Sequence, residues 1–484
     1  MNRASRTLMR TWLRLGTRFL PFADAATPDL PLTRLLRLSL FQVSVGMSLV
    51  LLVGTLNRVM IVELAVPASL VGVMISLPLL FAPFRAVIGF RSDTHRSELG
   101  WRRVPFLYRG TMVQFGGLAI MPFALLVLSG AGDASRAPAW VGQAAAGIAF
   151  LLVGIGMHTT QTVGLALATD LAPAESRPKV VGLMYVMLLF GTIASALLFG
   201  ALLADFTPGR LIQVVQGSAV ATIVLNGVAL WKQEPRNRAR ASAALERQPT
   251  FQESWASFIR GGQALRRLVA VGLGTMAFSM EDVLLEPYGG EILHLSVGST
   301  TRLTATLAVG GLLGFALASR VLARGADPFR MACHGALIGV PAFVAVIAAA
   351  PLDSPLMFAF GTLLIGFGAG LFGHGTLTAT MNVAPPDQAG LALGTWGAVQ
   401  ASAAGVAIAL GGILRDVITS TTHGSYGPAA GYSSVYAIEV LLLFAALAAM
   451  VPLIRPSSRR AGQGGLIWPH AAGVEGKSDP LEKS

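Results

Sequence analysis

Glu281, Asp282 and Glu286 stand inside one long apolar stretch. An ionisable side chain at the centre of a bilayer costs about 2.5–3.5 kcal/mol on insertion scales, so each needs a partner or a cavity. Glu281 and Asp282 have the chemistry to take up and release protons, with Arg58 as their charge partner. That is what a proton-coupled carrier of small molecules requires. Two imidazoles pose the same question. His158 lies in Met157-His158-Thr159-Thr160-Gln161, and His374 lies between Gly373 and Gly375. Each is a candidate interhelical hydrogen-bond donor or, through a free ring nitrogen, a ligand. Asp282 and Glu286 are four apart and share one face of a continuous helix. Glu281 is roughly 21 Å into its apolar run and His158 about 15 Å into its own, at 1.5 Å per residue. Gln42, Asn57, Arg58 and Glu63 add polar groups to a further run. Arg58 is also placed to neutralise an acid on the Glu281 stretch.

The elements that must position these groups follow from composition. Of 484 residues, 54% are hydrophobic and only 12% are charged. A soluble chain carries about 25% charged residues, so lipid must face much of this exterior. About 20 apolar residues cross a bilayer core. The apolar runs predict helices over 36–63, 68–90, 105–129, 140–169, 179–203 and 211–231, then over 267–293, 299–323, 329–350, 355–383, 389–415 and 431–454. With a cytoplasmic N-terminus, five of the 36 Lys and Arg fall on the opposite face: Arg58, Arg136, Arg210, Arg302 and Arg415. This asymmetry predicts a multi-pass protein of a bacterial inner membrane with both termini cytoplasmic. No cleavable leader is expected; the first helix serves as the insertion signal. In residues 1–33, Arg6, Arg10, Arg14 and Arg18 repeat every four residues opposite Leu8, Trp12, Leu15 and Phe19. That is a basic amphipathic helix suited to a lipid surface.

The chain repeats itself. Ala168-Thr169-Asp170-Leu171-Ala172-Pro173 has its counterpart in Ala379-Thr380-Met381-Asn382-Val383-Ala384-Pro385, and Gly182-Leu183 in Gly390-Leu391. The loop carrying Gly89, Arg91, Asp93, Arg96, Arg102 and Arg103 has a shorter basic counterpart from Ser319-Arg320 to Arg324-Gly325. Two six-helix bundles are expected at 34–231 and 267–454, with a cytoplasmic loop over 232–266 and a cytoplasmic tail over 455–484. This organisation resembles the major facilitator fold: all-α, integral to the membrane, with 12 transmembrane helices in two pseudo-symmetric bundles. In that fold the Gly-x-x-x-Asp loop staples helix ends, and helices one, four, seven and ten line a central cavity. Arg58, His158, Glu281, Asp282, Glu286 and His374 lie on those four helices.

Other chemistries are set aside. Gly368-Ala369-Gly370-Leu371-Phe372-Gly373 matches a dinucleotide-binding pattern, yet it sits inside an apolar run with no strand before it, so close helix packing explains it. There is no phosphate-binding Walker sequence, no zinc spacing and no Ser/His/Asp set, so no enzyme is expected. The net charge of +12 sits in short loops between apolar runs, which argues against a nucleic-acid partner. Cys333 is the single cysteine and excludes an internal disulfide.

Longer strings are more specific. Gly89-Phe90-Arg91-Ser92-Asp93 with Arg96-Ser97 and Gly100-Trp101-Arg102-Arg103 resembles the bacteriochlorophyll delivery family of PucC and LhaA proteins. So do Leu56-Asn57-Arg58-Val59-Met60, Ser176-Arg177-Pro178, Met280-Glu281-Asp282-Val283-Leu284-Leu285-Glu286-Pro287-Tyr288-Gly289-Gly290 and Gly394-Thr395-Trp396-Gly397-Ala398-Val399-Gln400. The resemblance runs from about residue 30 to 455, and the N-terminal stretch and first helix lean to the LhaA branch. It implies a light-harvesting complex assembly factor that hands bacteriochlorophyll to newly inserted antenna polypeptides, with light-harvesting 1 as the expected client. The implied partners are antenna α and β polypeptides, bacteriochlorophyll synthase, the translocation and insertion machinery and the lipid bilayer. Bacteriochlorophyll needs an apolar cavity and one axial donor to its magnesium; His158, His374 and Glu281 are the candidates, and no other metal is expected. A pigment-free assembly scaffold is the further alternative. The family supplies no catalytic residue.

Overall fold

Apolar runs of bilayer length become helices because the backbone must satisfy its own hydrogen bonds in lipid. The computed structural model describes residues 26–27, 30–80, 85, 88, 91–92, 101–130, 136, 138–173, 176–234, 263–382, 389–422, 427 and 429–454. Residues 1–25 and 28–29 of the amphipathic segment expected over 1–33, Gly89, Asp93, Arg96, most of the central loop and the tail lie outside them. Twelve helices follow: α1 (Leu32–Glu63), α2 (Ala68–Leu80), α3 (Val104–Leu128), α4 (Ala139–Leu171), α5 (Arg177–Leu202), α6 (Pro208–Leu230), α7 (Leu265–Glu291), α8 (Val297–Ala323), α9 (Pro328–Ala349), α10 (Pro355–Met381), α11 (Ala389–Thr421) and α12 (Ala430–Met450). Eleven are long and apolar enough to cross a membrane, and α2 adds a shorter apolar stretch. No strand occurs among the described residues. The protein is a multi-pass membrane protein of the major facilitator fold.

Local chemistry sets the helix starts. Thr207, Ser296, Asp327 and Ser354 each accept a hydrogen bond from a first-turn N–H of α6, α8, α9 and α10, which relieves donors that have no partner inside a helix. Proline stands at the start of α3, α5, α6, α9 and α10, where its missing N–H does no harm. Small residues set the crossings. A Cβ on Gly310 would strike the Leu363 carbonyl, and one on Gly370 the Gly311 carbonyl, so α8 and α10 touch backbone to backbone. Gly368 meets the Gly335 carbonyl of α9 in the same way. Gly368 and Gly370 of the dinucleotide-like pattern are therefore packing residues, whereas a Cβ on Gly373 would meet no neighbour.

Helices α1 and α7, which correspond in the two halves, are both irregular. Residues Val50–Leu56 and Val59–Glu63 of α1 are wound as π-helix. In α7 the α-helix stops at Ala277, a 3-10 turn spans Glu281–Val283, and a second α segment runs Leu285–Glu291. The halves meet at the far end of the bundle, where α5 ends and α2 and α8 begin, opposite the terminal end at which α1 starts and α12 stops. There Gly298 of α8 faces Gly200 of α5 so closely that an added Cβ would lie 2.6 Å from the Gly200 carbonyl. Gly72 of α2 faces the Ile408 carbonyl of α11 across a similar 2.9 Å.

Candidate functional site

Departures from regular helix in a membrane core mark functional ground. The π-wound part of α1 lies directly against the break in α7. Asn57 is fully buried, and its Nδ2 donates to the Val53 carbonyl at 2.9 Å and to the freed carbonyls of Asp282 and Val283 at 3.2 and 3.1 Å. Beyond it Thr55 and Thr301 pair through their hydroxyls at 3.3 Å. Glu286 is buried; it accepts a hydrogen bond from the Thr304 hydroxyl and touches Gly54, where an added Cβ would displace its carboxylate. A continuous helix would have put Asp282 and Glu286 on one face. The break between them removes that relation, because the intervening turn is 3-10 rather than α.

Arg58 is 4% exposed. The sequence suggested that it neutralises an acid of α7. Its carboxylate partner is Glu63 of its own helix, at 2.6 Å, and its other terminal nitrogen donates to the Leu295 carbonyl at 3.0 Å. Glu286 feels the guanidinium at longer range. Arg58 thus fastens the end of α1 to the far end of α7.

Glu281 is 2% exposed, and its Oε2 has no hydrogen-bond partner. It adjoins Asp282 in the chain, and its backbone N–H faces the carboxyl of Glu439 of α12, which is fully buried and has no side-chain hydrogen-bond partner. The buried Tyr436 hydroxyl nearby is also unpartnered. Sequence reasoning missed Glu439. It is the only acid in its apolar run, so the insertion-cost argument applied to Glu281 would have found it.

The imidazoles go elsewhere. His158 of α4 is buried beside Gln161 and faces the guanidinium of Arg85, which itself donates to Thr162 Oγ1 and Gln161 Oε1 at 3.0 Å each. His374 of α10 is half-buried against Phe315 of α8, ring centroids 4.3 Å apart. The Nδ1 of each histidine is unpartnered. Next to His374, a Cβ on Gly373 would meet no atom within 4 Å, so there is open space at that turn of α10. The structure gathers Glu281, Asp282 and Glu439; His158 and His374 each keep separate neighbours.

Two ion-pair clusters complete the frame. At the terminal end, Asp170 at the close of α4 accepts from Arg102 at 2.5 Å and Arg103 at 2.9 Å, and Arg103 also donates to Ser92 at 2.6 Å. Glu234 accepts from the backbone N–H groups of Arg102, Arg103 and Val104 at 2.8–3.0 Å and so caps α3. Arg102 and Arg103 thereby tie the start of α3 to the end of α4. At the far end, Arg415 binds Glu291 at 2.5 Å and Asp416 at 2.9 Å, and lies 4.7 Å from the Tyr432 ring centroid. A cavity of about 660 Å³ opens between α5 and α6, lined by Leu198, Leu202, Val214 and the Asp205–Arg210 pair. None of the candidate residues lines it.

The sequence matches the family described as PUCC protein over residues 55–458. It is 63% identical over 420 residues to a protein called PucC of Rhodovulum sulfidophilum, covering 86% of this chain and 92% of that one. A protein of the same name from Cereibacter sphaeroides is 61% identical over 444 residues, covering 92% and 96%. Among solved structures, a bacterial homologue of the human lysosomal transporter Spinster, inward-facing and unoccupied, superposes with a TM-score of 0.62 at 15% identity, covering 87% of this chain and 94% of that one.

Proposed function

The chain belongs to the PucC family, and from that premise we propose that it assists assembly of photosynthetic antenna complexes by delivering bacteriochlorophyll to newly inserted antenna polypeptides. The observation that carries the assembly role is identity of 63% and 61% to proteins called PucC over nearly their whole lengths. The pigment is cargo, and the protein's part is to hold it, shield it and release it. Partners in this reading are the antenna α and β polypeptides, bacteriochlorophyll synthase and the insertion machinery. The membrane is the bacterial inner membrane with both termini cytoplasmic, supported by the Lys and Arg asymmetry.

Of the three candidate axial donors, His374 fits best. Its ring nitrogen is unpartnered, Phe315 holds the ring from one side, and the neighbouring Gly373 borders open space. A flat macrocycle needs that combination of one donor and room beside it. Glu281 is enclosed with Glu439, and His158 is enclosed with Arg85. Hydrogen bonds from α1 to α7 join the halves towards the far end, and in this proposal the pigment enters and leaves at the opposite end.

The client is the peripheral antenna in this proposal: the relatives above carry the name PucC, and the family resemblance ties that branch to the peripheral antenna and the LhaA branch to the core antenna. The light-harvesting 1 expectation rests on the N-terminal stretch and first helix. Deleting the chromosomal copy and recording near-infrared absorption of the membranes tests both points. Loss of the peripheral antenna band with the core band retained is expected. Loss of the core band alone would move the client to light-harvesting 1. Unchanged bands would remove the assembly role.

A further inference from the structure

Helix α6 carries an exposed apolar stripe, Val220, Val224 and Val228, spaced four apart on one face. Arg210 lies at the start of α6 and the exposed Trp231 just past its close. At 1.5 Å per residue they stand about 32 Å apart, which matches a hydrocarbon core of about 30 Å. Arg210 and Trp231 therefore sit at the two headgroup levels of a lipid-facing helix. The cavity of about 660 Å³ between α5 and α6 runs from Arg210 to Ala221. That is about 16 Å along the axis, the depth of one leaflet. Buried Met47 of α1 and Phe199 of α5 line its inner side, and exposed Leu198 and Leu202 of α5 line its rim. Ser218 in the wall donates to the Val214 carbonyl at 2.7 Å and asks for no other partner. Along α6 the lining passes through Arg210, Gln213, Gly217 and Ala221, spaced three and four on one face. Cation, amide and then bare backbone follow one another inward. A diacyl phospholipid presents phosphate, ester carbonyls and hydrocarbon in the same order. The mouth is specific as well. Arg210 uses Nη1 for both of its side-chain contacts, the Asp205 carbonyl at 2.8 Å and Asp205 Oδ2 at 3.1 Å. Its Nε and Nη2, the donors that fork onto a phosphate, bind no described residue. The Asp205 side chain is 89% exposed, and its Oδ1 is likewise open.

We propose that this groove holds a phosphatidylethanolamine molecule of the leaflet at the far end. Arg210 binds its phosphate, Asp205 its ammonium and Gln213 an ester carbonyl, and one acyl chain lies over Gly217 and Ala221. A cation and an anion held side by side complement a zwitterionic headgroup. A headgroup without an amine would leave Asp205 facing a phosphate of like charge. A transmembrane polypeptide would need a groove through the whole membrane, and this one stops at Ala221. A lipid seated here braces the part of α5 whose Gly200 packs on Gly298 of the other half. The proposal does not depend on pigment delivery, and its test needs no pigment.

Native mass spectrometry of the purified full chain reads the bound lipid directly. The chain is exposed in detergent to equal amounts of phosphatidylethanolamine, phosphatidylglycerol and phosphatidylcholine. The expected result is a single phosphatidylethanolamine adduct, severalfold more abundant than either of the others. Arg210→Gln should lower it severalfold, and Asp205→Asn should remove the preference over phosphatidylglycerol. Gly217→Leu should abolish it by filling the groove. Gly227→Leu should retain it, because Gly227 lies outside the groove; a Cβ on either glycine meets no atom within 4 Å. Equal adducts of the three lipids overturn the proposal, as does an adduct that survives Gly217→Leu. So does a pigment or polypeptide adduct that Gly217→Leu removes in place of the lipid. Should Gly217→Leu fail to fold, the headgroup preference and Arg210→Gln decide the matter.

Discussion

Asp416 of α11 accepts a hydrogen bond from the backbone N–H of Ser69 through Oδ2 at 2.7 Å, so a residue of the C-terminal half caps a helix of the N-terminal half. The same carboxylate binds Arg415, which binds Glu291 of α7. One chain of contacts thus joins α2, α11 and α7 at the far end of the bundle. Gly412 lets the helices come this close, since a Cβ there would strike the Ala68 carbonyl.

Removing that cap should loosen the far end. Asp416→Ala removes a helix cap worth about 0.5–2 kcal/mol and leaves Arg415 with Glu291 alone. In a Cys333→Ser background, a cysteine placed at buried Ala68 should react with a water-soluble maleimide severalfold faster when Asp416 is alanine. Equal rates would show that the contact does not hold the halves together.

Two glycine substitutions should separate contact from composition. Gly298→Ala puts a methyl group 2.6 Å from the Gly200 carbonyl and 2.9 Å from Ala204 Cα, backbone atoms that cannot swing aside. Overpacking of this kind costs about 1–3 kcal/mol, and the melting temperature in detergent should fall. Gly373→Ala meets no atom within 4 Å and should melt as the unsubstituted protein does. Thermal unfolding followed by tryptophan fluorescence compares them.

The terminal-end cluster should be uneven in strength. The Arg102 side chain is 41% exposed and that of Arg103 only 5%, although both bind Asp170. Exposed ion pairs contribute about 0–1 kcal/mol, so Arg102→Ala should barely lower the melting temperature. Arg103→Ala should lower it more, because Ser92 and Asp170 lose a buried partner. Glu234→Ala uncovers three N–H groups at the start of α3 and should lower it by an amount comparable to other lost caps, about 0.5–2 kcal/mol.

The helices were legible because lipid imposes one length and one composition on every span. The two halves were legible through repeated strings such as Ala168-Thr169-Asp170 and Ala379-Thr380-Met381-Asn382. The break in α7 was not. Phe278 to Leu284 contains no proline or glycine, and the turn there is held by Asn57, which sits 225 positions away in sequence from Asp282. With the break unseen, Asp282 and Glu286 shared a face only in a continuous helix. Glu439 was visible in the sequence and followed from the cost of an acid in an apolar run. The Asp416–Ser69 contact carries no such signal: an aspartate at a helix end and a serine near a helix start are common, and only the packing of the halves joins them. The histidines stood out by their cost in an apolar run, but their neighbours, Phe315 and Arg85, come from elsewhere in the chain.

The absorption spectrum of the purified protein, prepared from pigment-producing cells, tests pigment delivery most directly. Bound bacteriochlorophyll should co-elute with the chain, and His374→Leu should remove most of it while His158→Leu and Glu281→Leu retain it. A colourless protein that still captures antenna polypeptides would contradict delivery and leave a scaffold in its place.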